Sequence, residues 1–218
     1  MGSVSMGNGD IIGILDLTLL DRGASEEDLV RLCERAVAHR VAAVCVFSEH
    51  VRFVRGLLPE EVKVASVVGG FPVGWRDPTK VSKAITEAID FGADEIDCVL
   101  EPTPNGGVSS EEDLQILSAM RDACGEKTLK VIIETPLMDE HSIRATSRLA
   151  MASGADFVKT CTGKRGDCTD EDARILSMEA NRHLVTMGER KGVKISGGIR
   201  KTEDARRMLS IMPVSYTH

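Results

Sequence analysis

Charged residues embedded in short apolar runs are the informative feature of this 218-residue sequence. Lys159 lies late in one run, Lys194 lies inside a second, and Asp97 lies inside a third. Glu134 ends a fourth run, and Asp16 follows a fifth. An unpaired charge is costly to bury, so such groups are normally paired or have a shifted pKa. These residues are therefore candidates for acid–base or nucleophilic chemistry.

The two lysines indicate carbonyl chemistry. A lysine amine is nucleophilic only when neutral, and burial or a neighbouring cation lowers its pKa toward the working pH. Lys194 near Lys159 would supply that cation, so Lys159 could add to a carbonyl, lose water and form an iminium. A carboxylate such as Asp97, with Asp16 or through water, could then move protons. A buried salt bridge is the alternative explanation for any one of these residues.

The position of each charged residue within its run predicts where it lies in the fold. In α/β barrels the active site gathers at the C-terminal ends of the strands. Asp16, Glu134 and Lys159 lie at the ends of their runs, so we expect them at that face. Lys63 and Lys130 lie at the starts of theirs, so we expect both at the opposite rim, exposed to solvent.

Seven apolar runs must position these groups. Runs that are apolar throughout, rather than alternating, indicate parallel strands buried on both faces. The predicted strands are Ile11–Leu15, Val41–Phe47, Val62–Val68, Glu95–Leu100, Leu129–Ile133, Asp156–Lys159 and Val193–Ile195. Their alternation with helical patterns favours an α/β fold, although periodicity alone does not distinguish a closed barrel from an open doubly wound sheet.

Amphipathic spacing predicts the helices between the strands. Ser25 is a candidate N-cap for the first helix. The predicted helices are Glu26–His39, Pro78–Phe91, Ser110–Cys124, Asp139–Ser153, Thr169–Arg190 and Thr202–Met212. Gly92, Gly125, Gly154 and Gly192 are expected at helix C-termini. We find no linker, so residues 1–218 are interpreted as one domain.

Composition narrows the function classes. A formal net charge of −7 argues against nucleic acid or an anionic membrane surface as the main partner. The six cysteines show no zinc-ligand spacing and suggest reduced thiols in the cytoplasm, with no metal. No apolar run approaches the roughly 20 residues that span a bilayer, and Met1–Gly9 lacks a signal-peptide pattern.

Two glycine-containing segments indicate an anion site. Thr160–Lys164 follows the sixth run, and Ser196–Arg200 follows the seventh. Glycines at strand ends let backbone N–H groups approach an anion closely, and phosphate commonly binds near the last strands of a barrel. The alternative is that the adjacent Gly197 and Gly198 form only a tight turn.

Several segments, in order over roughly residues 10 to 210, resemble the motifs of the deoxyribose-phosphate aldolase family of class I aldolases. The segments are Leu15–Leu20, Val44–Val46, Val68–Pro72, Asp94–Asp97, Lys130–Thr135, Asp156–Lys164 and Val193–Ala205. The resemblance implies a (β/α)8 TIM-type barrel without a metal or cofactor. It also implies reversible cleavage of 2-deoxy-D-ribose 5-phosphate to D-glyceraldehyde 3-phosphate and acetaldehyde, and it allows a homodimer.

The resemblance implies a role for individual residues. Lys159 matches the Schiff-base lysine, Lys194 the lysine that perturbs it, and Asp97 the proton-relay aspartate. The implied substrate-binding residues, which include a pocket cysteine and part of a phosphate site, are Asp16, Thr18, Leu20, Cys45, Thr162, Gly163, Lys164, Gly197 and Gly198.

The sequence departs from the family pattern at three places. Glu101–Gly107 differs, and Cys161 stands where the family has Ser, which we interpret as a tolerated small-residue change. The family continues into an eighth strand with a phosphate loop and a last helix, whereas this sequence ends in Pro213–His218. We therefore expect a barrel without its last unit, with weaker phosphate binding and lower stability. Residues 213–218 are expected to be a non-native tail, and residues 1–9 to be disordered.

Two other functions stay open at this stage. One is a catalytically impaired barrel fragment that keeps the lysines but cannot close unless it oligomerises. The other is a different Schiff-base barrel aldolase or a transaldolase-like enzyme. A dinucleotide-dependent oxidoreductase is disfavoured, because no GxGxxG follows the first strand.

Overall fold

The computed structural model describes residues 11–103 and 111–212. These residues form one parallel sheet of seven strands, and every strand is followed by a helix. The strands are β1 (Asp16–Leu19), β2 (Ala43–Phe47), β3 (Lys63–Val68), β4 (Glu95–Val99), β5 (Thr128–Ile132), β6 (Phe157–Lys159) and β7 (Gly192–Lys194). The helices are α1 (Glu26–His39), α2 (Ser48–Leu57), α3 (Pro78–Asp90), α4 (Glu111–Cys124), α5 (Glu140–Ala152), α6 (Asp170–Met187) and α7 (Thr202–Ile211), with a 3₁₀ turn at Thr135–Leu137.

The strand order identifies the architecture. The strands lie side by side in sequence order from β1 to β7, whereas a doubly wound sheet reverses its order part-way. The wall is therefore that of a TIM-type barrel with seven of its eight units in the described residues. β1 and β7 are the two edges of this wall.

Side chains on each strand alternate between two buried layers. Val44 and Val46 pack outward against the helices, whereas Cys45 and Ala65 pack inside the barrel. Both environments are apolar along much of β2 and β3, which explains why these runs lack a polar–apolar alternation.

The helix boundaries largely follow the local signals. Ser25 caps α1 with a capping box through Asp28, as predicted. Gly92, Gly125 and Gly154 follow helices with positive φ, also as predicted. Gly192 was wrongly assigned to a helix end, since it is the first residue of β7; α6 ends instead at Gly188, which has φ 71°.

Two elements differ from the predictions. Helix α2 was missed because it follows β2 directly, has no side-chain cap, and buries only Val51 and Val54. The first strand is not Ile11–Leu15 but β1, which begins at Asp16. Asp16 and Thr18 alternate with the core-facing Leu17 and Leu19 in β1. Half of the strand is therefore polar, and the more apolar preceding run was predicted as the strand instead.

Three sequence predictions lie wholly or partly outside the described residues. They concern residues 1–9, the 101–107 segment beyond residue 103, and residues 213–218. No helix in the described part of the chain is long and apolar enough to span a membrane.

Candidate active site

Three lysines and three carboxylates meet inside the barrel. Asp97 contacts two lysines, with Oδ2 2.5 Å from Lys159 Nζ and Oδ1 3.1 Å from Lys130 Nζ. Lys130 Nζ also lies 2.5 Å from Glu95 Oε2 and 3.0 Å from Asp16 Oδ2. The third lysine of the cluster is Lys194. Five strands supply the six side chains: Asp16 from β1, Glu95 and Asp97 from β4, Lys130 from β5, Lys159 from β6 and Lys194 from β7.

The lysine–carboxylate cluster has equal numbers of positive and negative groups. Lys130, Asp97 and Asp16 are nearly or fully buried, so each charge depends on its partners rather than on water. Lys130 lies at the centre, where it contacts all three carboxylates. The arrangement is a buried network that holds the side chains in place.

Lys130 is the largest correction to the sequence analysis. It is fully buried, not exposed at the opposite rim, whereas Lys63 is exposed as predicted. Strand β5 begins at Thr128, so Lys130 lies in the middle of its strand and not at its start. Lys130, the third residue of β5, is accordingly in register with Asp97 in the middle of β4. Its inward direction was readable from the alternation with Leu129 and Val131, which pack outward.

Asp16 also occupies a different position from the predicted one. It begins β1 rather than following the first strand, yet it reaches the cluster because strand stagger brings the start of β1 close to the end of β7. Its Oδ1 lies 2.6 Å from Nζ of Lys194, the last residue of β7. This ion pair therefore spans the gap between the two edge strands.

The predicted proximity of Lys159 and Lys194 is observed, but the predicted lowering of the Lys159 pKa is not. Lys159 and Lys194 are register partners on adjacent strands. Burial lowers the pKa of Lys159, but the Asp97 carboxylate and Cys45 together raise it, and the net shift is upward. Burial does lower the pKa of Lys194, against the opposing charge of Asp16. The expectation of a lowered pKa at Lys159 is thus wrong for the protein without substrate.

The cluster carboxylates are held in their charged form. Burial raises the pKa of Asp97, but the charges of Lys130 and Lys159 outweigh it, and the net shift is downward. The pKa of Asp16 is likewise lowered, with burial opposed by Lys130 and Lys194. Asp97 is therefore a base beside the Lys159 amine.

A cavity of about 370 Å³ opens beside this cluster, at the gap between β1 and β7. Its size suits a small-molecule ligand. Lys159, Lys194 and Asp16 line one part, and the Gly197–Gly198 turn lines another. The other predicted substrate-binding residues that line it are Thr18, Leu20, Thr162 and Gly163.

Two predicted substrate-binding residues do not line this cavity. Cys45 is buried inside the barrel, where burial and then the Asp97 charge raise its thiol pKa to about 12. The Lys164 side chain is exposed, and its backbone N–H donates to Thr162 Oγ1 at 3.2 Å. All six cysteines of the chain are free and buried.

The two predicted glycine segments are joined to each other. Thr160 Oγ1 donates to the Ser196 carbonyl at 2.8 Å and accepts from the Ser196 N–H at 2.9 Å. Gly197 has φ 85°, and a Cβ atom there would lie 2.4 Å from Cys161 Sγ. The turn therefore needs glycine, and a small buried residue must stand at position 161.

Glu134 was expected beside the lysines, but it supports the neighbouring loop instead. It is fully buried with φ 54°, and its carboxylate accepts the backbone N–H of Thr162. Burial raises the pKa of Glu134. Arg165 Nε lies 4.0 Å from Glu134 Oε2. Arg165 Nη1 donates to both carboxylate oxygens of Glu101, at 2.9 and 2.8 Å. Sequence reasoning missed this pair, since neither residue lies in an apolar run.

Comparison with known proteins identifies the family. The model of the DeoC/LacD family aldolases matches residues 11–211. The chain belongs to the DeoC/LacD aldolase family. One relative within it, the deoxyribose-phosphate aldolase of Halalkalibacterium halodurans, is 36% identical over 207 residues, which cover 91% of this chain and 87% of that protein.

Solved structures agree with this family assignment. A Coccidioides immitis protein described as a deoxyribose-phosphate aldolase matches with a TM-score of 0.87 and 29% identity, over 98% of this chain and 83% of that one. The deoxyribose phosphate aldolase of Aeropyrum pernix, a tetramer, matches with a TM-score of 0.81 and 26% identity, over 94% of this chain and 85% of that one. The predicted family, its lyase class and the TIM-type barrel are thereby confirmed.

Within the described ranges, no group of three or more His, Cys, Asp or Glu side chains is placed to hold a metal ion. The charged groups of this DeoC/LacD aldolase site are paired with each other.

Proposed function

We propose that this protein cleaves 2-deoxy-D-ribose 5-phosphate reversibly to D-glyceraldehyde 3-phosphate and acetaldehyde, through a Schiff base on Lys159. The observation that carries the proposal is the placement of the Lys159 amine, which lines the cavity and lies 2.5 Å from Asp97 Oδ2. A nucleophile with an adjacent base is the arrangement that carbonyl addition needs.

The first step requires the Lys159 ammonium to lose a proton. Asp97 is within hydrogen-bond distance to accept it, and Lys130 on the far carboxylate oxygen keeps Asp97 in place. The neutral amine then adds to C1 of the open-chain sugar, and loss of water leaves an iminium. The raised pKa of Lys159 makes this proton transfer a barrier of its own, so activity should depend on pH.

The carbon–carbon bond breaks next. A base removes the proton of the 3-hydroxyl group, the C2–C3 electron pair moves into the iminium, and D-glyceraldehyde 3-phosphate leaves. The remaining enamine takes a proton at C2, and water releases acetaldehyde and restores the lysine. Asp97, which contacts Lys159, and the Lys194–Asp16 pair, which lines the cavity, are the groups we assign to these proton transfers.

Borohydride trapping tests the proposed nucleophile. The protein is incubated with acetaldehyde and sodium borohydride, and the reduced N-ethyl-lysine is located by peptide mass spectrometry. We expect one ethyl group on Lys159, absent in Lys159→Met. Lys164 provides an internal control, because an exposed lysine reports non-specific labelling.

The trapping result also separates this proposal from the catalytically impaired barrel. Labelling of Lys159 well above that of Lys164, together with release of acetaldehyde from the sugar phosphate, supports the aldolase. A folded protein in which Lys159 is not labelled would refute the Schiff-base mechanism.

A further inference from the structure

We infer that the Asp167 carboxylate weakens the binding of a phosphate at the glycine end of the cavity, relative to the binding of a neutral, hydroxyl-bearing group. The inference rests on the proposed function, in which the sugar carbonyl is at Lys159. The opposite end of the substrate would then lie along the Gly197–Gly198 turn, which lines the same cavity. Asp167 is thereby a specificity-determining residue rather than a catalytic one.

Asp167 lies directly against the turn. It belongs to the β6–α6 connection and lines the same cavity as Lys159. A Cβ atom built on Gly198 would be 3.1 Å from the Asp167 Cγ and 3.3 Å from its Oδ2. A group bound at the glycine turn would therefore be within a few ångströms of a negative charge.

The cavity cations already have anionic partners. Arg200 Nη2 lies 3.5 Å from Asp167 Oδ2, and no other arginine lines the cavity in the described part of the chain. The two lining lysines, Lys159 and Lys194, contact Asp97 and Asp16. A phosphate would thus have to compete with a carboxylate for each cation that it approaches.

The sign of the effect follows from Coulomb's law. A dianion about 6 Å from one carboxylate in water is disfavoured roughly tenfold, and the half-exposed Asp167 side chain keeps the effect near this value in water. A hydroxyl group carries no such penalty, and it can donate a hydrogen bond to the carboxylate. The N–H groups of the glycine turn still attract anions, so Asp167 reduces phosphate binding rather than abolishing it.

The test compares two substrates that differ only in the phosphate. The ratio of kcat/KM for 2-deoxy-D-ribose 5-phosphate to that for 2-deoxy-D-ribose is measured in the wild-type protein and in Asp167→Asn. We expect the ratio to rise about tenfold in the variant. Glu171→Gln is the matched control, because it removes the same charge from an exposed position on α6, outside the cavity, and should leave the ratio unchanged.

A binding measurement keeps the inference separate from the proposed function. Inorganic phosphate is titrated into each protein by calorimetry at constant ionic strength, and Asp167→Asn should bind it about tenfold more tightly than the wild type. If the wild type cleaves neither sugar, the proposed function fails, and the phosphate titration alone decides the inference. Equal phosphate affinities, or equal substrate ratios in an active enzyme, overturn the role of Asp167.

Discussion

Replacing Lys130 with methionine removes the central cation of the buried cluster. The Lys130 ammonium is fully buried and lies within 3.1 Å of oxygens from Asp16, Glu95 and Asp97. Its loss would leave two lysines against three carboxylates in a largely buried site. Removing one partner of a buried ion pair typically destabilises a protein by about 3–5 kcal/mol, because it leaves an uncompensated charge. We expect a loss of that size at pH 7.

Urea denaturation followed by circular dichroism measures this loss. Lys63→Met is the matched control, since Lys63 is a strand lysine that is exposed at the start of β3, and its replacement should change the unfolding free energy by less than about 0.5 kcal/mol. Adding Glu95→Gln to Lys130→Met restores charge balance and should recover part of the stability. Equal, small effects of the Lys130 and Lys63 substitutions would refute the reasoning.

The pH dependence of the unfolding free energy tests the role of Lys130 independently. The pKa values of Asp16 and Asp97 are lowered by the lysines, against burial, so their pairs stabilise the fold above the unfolded pKa of about 3.9. That contribution is lost as the pH falls toward the folded values. In Lys130→Met, an excess carboxylate should take up a proton at a higher pH. The stability difference between wild type and variant should therefore shrink between pH 7 and pH 4.

Three further predictions test the loops and the nucleophile. Gly197→Ala should destabilise the protein by more than about 1 kcal/mol, because Gly197 has a positive φ and lies close to the buried Cys161 thiol. Gly56→Ala, at an open helical position, should stabilise the protein slightly, and thermal melts of the two variants measure the difference. The Glu101–Arg165 pair should show a coupling of about 1 kcal/mol in a double-mutant cycle on unfolding free energy, and additive effects would contradict this. Because the pKa of Lys159 is raised by Asp97, kcat/KM should rise with pH above neutrality; a flat profile from pH 7 to 9 would argue against deprotonation of Lys159 as a controlling step.

Local signals were sufficient for much of the fold. Helix α1 was predicted with its observed bounds, since Ser25 supplies a capping box and the chain turns left-handed at Arg40, where φ is 54°. Helix α2 was missed because these signals are weak there. Periodicity alone did not distinguish a barrel from a doubly wound sheet, because both use the same strand–helix units and differ only in which strands become neighbours.

The candidate site, like the fold, was predicted only in part from the sequence. The sequence by itself determined which groups are present: lysines and carboxylates in apolar runs, glycine turns after two strands, and motifs that resemble one aldolase family. Only the tertiary structure decided how they pair. Lys130 joined the site because strand register places it beside Asp97, and Asp97 came to bind Lys159 from 62 positions away. Electrostatic energy depends on distances of a few ångströms, and strand register and barrel closure set those distances.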